Sequence, residues 1–315
     1  MNEIALIFPG QGSQVLDMGK DFCDNFRESL HVFQEASDTI HLDLRKLCFG
    51  NSMTDLTLTP NLQPALFVTE AAMLAAIRAH TELKPVVTAG HSLGEYTALH
   101  AAGSISVADG ARITRARGLA MQEAVPPGVG TMAAILGMDA ATVEALCAKA
   151  RTTLPKGEVV EPANFNAPGQ VVIAGTIAGV AKVAELLKDD EQFKAGKSIP
   201  LQVSAPFHCS LMAPAQKAMA PMLVELKFQV PTCAVIPNVT AHPIHAPHSF
   251  GGLLTDQITR PVRWEQSMNQ LRTLGVKRVY EIGPGRVLTG LHKRIDREMP
   301  VTSISTVQQM TEAFK

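Results

Sequence analysis

Four short, almost purely apolar runs punctuate the chain: Ile4 to Phe8, Pro85 to Ala89, Cys233 to Ile236 and Val276 to Ile282. A strand with one wet face alternates apolar and polar positions. Continuous apolar runs of this length predict strands buried on both faces, as in a parallel α/β sheet. Helical patterns lie between them, at Gln63 to His80, Ser106 to Ala124 and Ser210 to Lys227. Ser106 followed by Asp109 is a helix-start signal of the capping-box kind, and Pro126-Pro127-Gly128 ends the same helix.

The middle of the chain has a different rhythm. Strands are predicted at Met132 to Leu136, Val159 to Phe165, Gln170 to Ala174 and Ser198 to Val203, with helices at Ala140 to Arg151 and Ile177 to Lys188. That order is β-α-β-β-α-β, the ferredoxin-like arrangement. The expected fold class is therefore α/β, a core with a mainly parallel sheet plus an inserted ferredoxin-like small domain. The small domain is placed at 128–199, inside a discontinuous large domain of 1–127 and 200–315. A substrate cleft is expected where the two meet. No internal repeat is evident, and the end from Val307 to Lys315 reads as a polar tail.

Composition narrows the function classes. A chain of 315 residues with 46% hydrophobic residues can bury a large core. Lys and Arg total 28 against 29 for Asp and Glu, so no overall field draws in nucleic acid or an anionic membrane. No run reaches the ~18 apolar residues of a membrane span, and no basic leader precedes the first strand, so a soluble protein is expected. The five scattered cysteines form no C-x-x-C pair and read as reduced core thiols of a cytoplasmic protein. His242, His245 and His248 have metal-like spacing but lie in a Pro-containing loop and are read as loop residues, so no metal is expected.

The candidate chemistry begins at Gly90-His91-Ser92-Leu93-Gly94-Glu95, which follows the second apolar run and feeds a helix. A G-x-S-x-G turn between strand and helix lifts the serine hydroxyl onto a helix N-terminus, where backbone N–H groups can stabilise an oxyanion. Acyl transfer is the first reading; a glycine-rich turn with an exposed serine is the plain one. Ser92 would need a base, and His208, in the constrained stretch Ser204-Ala205-Pro206-Phe207-His208-Cys209, is the best placed of ten histidines. His91 adjoins the serine but should point away from it. Pro9-Gly10-Gln11-Gly12 follows the first strand and should share a sheet edge with Ser92, so Gln11 and the Leu93 amide are candidate donors. On the helix from Ser106, Arg117 falls on one face with Gly110, Ile113, Ala120, Met121 and Ala124, whereas Arg112 and Arg115 read as solvent charges. A cation on a core-facing stripe is costly unless an anion meets it, and an arginine fork suits a carboxylate.

These segments, with Arg115-Ala116-Arg117-Gly118, Asn164-Phe165-Asn166, Pro168-Gly169-Gln170, Phe207-His208, Gln257, Pro261-Val262-Arg263-Trp264 and Gly283-Pro284-Gly285, resemble the malonyl-CoA:acyl-carrier-protein transacylases and the acyltransferase domains of fatty acid and polyketide synthases. The resemblance covers nearly the whole chain in order. It implies a hydrolase-like core, Ser92 as nucleophile, His208 as general base, Leu93 and Gln11 as the oxyanion hole, and Arg117 as the grip on a malonyl carboxylate. It implies further that a main-chain carbonyl near Gln257 orients the histidine, and that Asn166 and Phe207 bind substrate. Phe207 would crowd an α-methyl branch, a preference worth about 1–3 kcal/mol. The implied partners are malonyl-CoA and acyl carrier protein, with no cofactor. An acidic carrier would need a local basic patch, for which Lys182, Lys188, Lys194 and Lys197 are candidates. Two other readings stand beside this one: a serine carboxylesterase or thioesterase-like hydrolase, and a non-catalytic carrier-docking module.

Overall fold

The computed structural model describes residues 3–315. Its nine strands are β1 (Ile4–Phe8), β2 (Val87–Gly90), β3 (Gly130–Leu136), β4 (Val160–Ala167), β5 (Gln170–Thr176), β6 (Lys197–Pro200), β7 (Ala234–Ile236), β8 (Arg278–Ile282) and β9 (Val301–Ile304). They form two sheets, a five-stranded one in the order β7-β2-β1-β8-β9 and a four-stranded one in the order β4-β5-β3-β6.

Every recorded pairing in the first sheet is parallel. β1 lies at its centre, and Ala5, Leu6, Ile7 and Phe8 are fully buried, which is why their run has no polar alternation. Successive side chains serve two different cores. Leu6 and Phe8 join the one built around helix Thr59–His80, while Ala5 and Ile7 join Trp264, Met268 and Leu271 on the opposite face. Phe8 pairs with Gly90 and Ala89 with Ile236, so the loops that follow β1, β2 and β7 leave the sheet at one level. That shared edge positions the site.

Helix Thr59–His80 is long and apolar enough to span a membrane by length and composition, yet most of it is buried inside the fold. It begins four residues earlier than its apolar pattern predicts, because Pro60 is favourable in a first helical turn. Pro64 then cannot donate to the carbonyl of Pro60. Arg115 Nη1 donates to that oxygen instead, at 2.8 Å, and to Asn61 Oδ1 at 2.8 Å. The reading of Arg115 as a solvent charge is thereby corrected: it mends a proline gap in the neighbouring helix. Arg112 remains on the surface, paired with Asp109. The Ser106–Asp109 start signal is present, with Ser106 Oγ accepting from the Asp109 N–H at 3.0 Å.

The second sheet is antiparallel throughout. Helices Ala140–Thr153 and Ile177–Asp189 cover one face, where Ala133, Ile135, Val143, Leu146, Val171, Ile173 and Val183 form a separate core. Met132, Ala134, Val172 and Ala174 point the other way and join the main body. β4 also touches the main body through its backbone, with Phe165 N–H donating to Val262 O at 2.8 Å and Val262 N–H to Ala163 O at 2.9 Å. β6 is shorter than its apolar pattern predicts and stops at Pro200, which frees Leu201 to Val203 to line the cleft. Lys182 and Lys194 form exposed ion pairs with Glu185 and Glu191.

Several elements went unpredicted: four short helices between Lys20 and Thr57, strand β9, and the helices Phe250–Gln257, Trp264–Thr273 and Val287–Ile295. The C-terminal stretch read as a polar tail is a helix, Val307–Ala313, capped by the Thr306 hydroxyl. Asp21 accepts its first N–H, and Phe314 packs on Tyr280 with ring centres 5.0 Å apart. All five cysteines are free thiols. Among the described residues no three His, Cys, Asp or Glu side chains are grouped to hold a metal ion.

Candidate active site

Strand β2 ends at Gly90 and helix Gly94–Ala101 starts four residues on, so the chain must reverse within His91-Ser92-Leu93. Only glycine fits on either side. A Cβ on Gly90 would come within 1.9 Å of the Gly94 backbone, and one on Gly94 within 2.1 Å of Phe8 O. The turn forces Ser92 to a φ of 52°, a left-handed conformation costly for a residue with a Cβ. Asn238, two residues beyond β7, holds it there. Its Oδ1 accepts the Ser92 N–H at 2.8 Å and its Nδ2 donates to Gly90 O at 2.7 Å.

Ser92 Oγ lies 2.7 Å from His208 Nε2, across 116 residues of chain. His208 Nδ1 lies 2.8 Å from the main-chain oxygen of Gln257, which can only accept. The Nδ1 atom therefore carries the proton, and the Nε2 lone pair faces the serine. His208 also has positive φ, at 59°. Its loop is pinned on both sides: Ser204 Oγ shares a 2.7 Å bond with Thr59, and Glu161 accepts from Ser210 N–H at 2.8 Å and Ser210 Oγ at 2.9 Å. Burial, and next the field of Arg117, push the imidazole down to about 3. It is thus neutral, and able to take a proton, across the physiological range.

Arg117 is 1% exposed. Its Nη1 donates to Gln63 Oε1 at 2.8 Å, and its Nη2 to Gln257 Oε1 at 2.9 Å and Ser92 Oγ at 3.1 Å. The guanidinium carbon stands 5.4 Å from the centre of the Tyr96 ring. Among the described residues its Nε has no partner and no carboxylate bonds to it. Burial lowers its pKa from the usual arginine value, although a guanidinium stays charged. A buried cation donating to the hydroxyl whose own proton faces the imidazole awaits an anion beside Ser92.

The cleft around these groups has a volume of about 110 Å³, room for a short acyl group and not for a long chain. Gln11, Gln63, His91, Leu93, Met121, Met132, Asn164, Leu201, Val203 and Phe207 complete its wall. The backbone N–H groups of Leu93 and Gln11 are left without an acceptor among the described residues, at the place where two donors could hold an oxyanion. A larger groove lined by Gln34, Asp38, His41 and Lys46 shares no residue with this cleft.

The structure thus brings Ser92, His208, Leu93, Gln11, Arg117 and Phe207 to one cleft, with Gln257 directly behind. Asn166, at a register shift of β4, stands back from it: its Oδ1 bonds His91 Nε2 at 2.8 Å, and Asn164, two residues earlier, lines the cleft instead. That bond turns His91 away from Ser92, towards Asn166 and Trp264. Sequence reasoning missed Gln63, Asn238 and Glu95. Asn238 was findable, since it follows β7 at the sheet edge already occupied by Ser92 and Gln11.

Comparison with known proteins agrees with this geometry. A family model described as acyl transferase domain matches residues 5–313. The malonyl CoA-acyl carrier protein transacylase of Bacillus subtilis (strain 168) is 43% identical over 315 residues, covering 100% of this chain and 97% of that protein. The crystal structure of the acyl-carrier-protein S-malonyltransferase from Burkholderia pseudomallei 1710b superposes with a TM-score of 0.93 at 42% identity, covering 100% of this chain and 99% of that one. A malonyl-transacylase solved in complex with its type II PKS acyl-carrier protein gives a TM-score of 0.93 at 37% identity, with 99% of each chain covered. With a family match from the first strand to the last helix, and a strained serine, an imidazole and a buried arginine meeting in one cleft, this chain belongs to the acyl transferase family.

Proposed function

We propose that this protein transfers the malonyl group of malonyl-CoA to the phosphopantetheine thiol of acyl carrier protein, by way of a malonyl ester on Ser92. The observation that carries the reading is Arg117, a fully buried guanidinium without a bonded carboxylate, 3.1 Å from the serine hydroxyl. An esterase would have no use for a buried cation there, and it would be expected to orient its histidine with an acid rather than with a main-chain carbonyl. A docking module would need neither Ser92 nor His208.

In the first half-reaction Ser92 Oγ attacks the thioester carbon while His208 Nε2 takes the hydroxyl proton. The Leu93 and Gln11 N–H groups hold the oxyanion, and Arg117 holds the distal carboxylate through two parallel N–H···O bonds. The C–S bond breaks, and His208 returns its proton to the departing CoA sulfur. In the second half the carrier thiol gives its proton to His208 and attacks the ester, and Ser92 recovers its own. The carrier can bind only after CoA has left, hence ping-pong kinetics. Phe207, on the cleft wall, disfavours a branched acyl group.

The same reading takes residues 1–127 and 200–315 as a hydrolase-like catalytic domain and 128–199 as a ferredoxin-like domain. The order β6-β3-β5-β4, which is 4-1-3-2 in that unit's own numbering, supports the latter. Free thiols and a near-neutral charge suit a cytoplasmic enzyme. The deciding experiment incubates the protein with labelled malonyl-CoA, locates the label by mass spectrometry, and adds holo acyl carrier protein. Label on Ser92 that moves to the carrier thiol is expected; label released only as free malonate would make the protein a hydrolase.

His208→Ala is expected to slow Ser92 acylation by about 10²–10⁴-fold, the usual contribution of a general base. In the unaltered protein the imidazole is already neutral well below pH 6.5. The acid limb of kcat/KM for malonyl-CoA that belongs to the base therefore lies nearer pH 3 than pH 6.5. A limb near 6.5 that persists in Glu95→Gln, which removes the buried acid titrating near 7, would mean that the base is not the buried His208.

A further inference from the structure

One buried acid near the cleft has no part in these steps. Glu95, in the first turn of helix Gly94–Ala101, is 1% exposed, and its Oε2 accepts from Asn238 N–H at 2.9 Å and from Gln257 Nε2 at 2.7 Å. Those two partners hold the reacting groups. Asn238 Oδ1 takes the Ser92 N–H, the Gln257 main-chain oxygen takes the His208 proton, and Gln257 Oε1 takes an Arg117 proton.

A side-chain amide has a donor end and an acceptor end, so its direction needs a cause. A carboxylate only accepts. Glu95, the one acid among three acceptors there, with Ser92 O at 2.9 Å and Asn238 Oδ1 at 3.3 Å, draws the NH₂ of Gln257 to its own side and leaves Oε1 for Arg117. A reversed Gln257 would aim NH₂ at the guanidinium and its carbonyl at the carboxylate, two repulsions in a site without bulk water. Glu95 is also the acid whose field bears on Arg117, with the Tyr96 hydroxyl as the other titratable group beside that pair. Burial raises its carboxyl to about 7 against the pull of the two donors and Arg117, so the charge used here is carried above that pH.

We propose that Glu95 is a positioning residue for malonyl transfer: it fixes the direction of the Gln257 amide that meets Arg117, it anchors the main chain of Asn238 and the side chain of Gln257, the residues that hold Ser92 and His208, and it offsets the charge of Arg117 until a substrate carboxylate takes its place. The inference rests on the malonyl reading above. It assigns opposite effects to binding and to chemistry. Without the Glu95 charge, Arg117 attracts a substrate carboxylate more strongly, whereas the slackened amides leave serine and histidine poorly aimed.

The test uses Glu95→Gln, which keeps size and removes charge. Single-turnover acylation of Ser92 by malonyl-CoA should slow by about 10–100-fold, the scale of one lost charged hydrogen-bond acceptor. Dissociation constants, measured in a Ser92→Ala background to prevent turnover, should tighten severalfold for malonyl-CoA and stay level for acetyl-CoA. An acylation rate within twofold of the unaltered protein overturns the proposal. So does an equal change in the two dissociation constants, the mark of a merely structural residue. Glu95→Asp retains the charge but is too short to reach both donors, so it should slow acylation with no change in the malonyl-to-acetyl binding ratio. If Glu95→Gln does not fold, Glu95→Asp decides alone, and an unchanged rate refutes the inference. A wild-type protein that malonyl-CoA never acylates would instead sink the malonyl reading itself.

Discussion

Ser92→Ala removes the covalent intermediate, and with it about 10⁶ in rate, the scale for loss of a serine nucleophile. No adduct should form with labelled malonyl-CoA, even though Arg117, Gln11 and Leu93 remain to bind it. Intact-protein mass spectrometry is the readout, and a stable malonyl adduct on the alanine variant would refute the assignment. The backbone supplies a second arm. Ser92 sits at a φ of 52°, where a Cβ costs about 1–2 kcal/mol. Ser92→Gly removes that strain and loses only about 0.5–1 kcal/mol to the freer unfolded chain. The glycine variant should therefore be as inactive as the alanine one and melt at or above it, since both have lost the hydroxyl that bonds His208 and Arg117. A melting temperature below that of Ser92→Ala would mean that the elbow stores no strain.

Arg117→Ala should change which acyl groups are accepted. A malonyl carboxylate would enter a pocket walled by Met121, Met132 and Phe207 with no counter-charge, an uncompensated burial costing about 2–5 kcal/mol. Malonyl kcat/KM should fall by about 10²–10³-fold. Acetyl-CoA carries no distal charge, so its kcat/KM should fall far less, and the malonyl-to-acetyl ratio should collapse. Arg117→Lys should restore part of the malonyl rate, because an ammonium supplies charge without the planar fork. The comparison to make is kcat/KM for both thioesters on all three proteins. Equal losses for malonyl-CoA and acetyl-CoA in Arg117→Ala would make the residue a structural support for Gln63 and Gln257.

The strands of the main sheet and the order of the middle unit were legible because burial on both faces erases polar alternation, as at Ile4 to Phe8. Arg117 was legible by the same logic, a charge out of place on an apolar stripe. The helices between Lys20 and Thr57 were not: three are only five or six residues long, and the fourteen-residue Arg27–Ile40 begins with no side-chain cap, unlike Ala140–Thr153. Strand β9 is only partly buried, so its pattern resembles that of a loop. The polar partners of the site were hidden for another reason. Gln63 is one polar residue in a long apolar helix, Glu95 reads as an ordinary acid in a first helical turn, and only the sheet order brings Asn238 to Ser92. Arg115 was misread because the carbonyl it serves is left open by a proline 51 residues earlier, which no helical wheel displays.

The pairing of β1 has a bearing on how the protein is made. Its five residues leave the ribosome before those of the other eight strands, yet one neighbour, β2, starts only at residue 87 and the other, β8, only at residue 278. The strands of the middle unit, by contrast, find most of their partners within about fifty residues. Local pairings close quickly and distant ones slowly, so the unit carrying no nucleophile is complete while the central strand of the catalytic sheet still has an open edge. Ser92 and His208 are both synthesised before Asn238 and Gln257, the residues that hold them. A chain arrested before β8 would display the apolar Ile4–Phe8 edge to chaperones, and to other nascent copies of itself, instead of an active cleft.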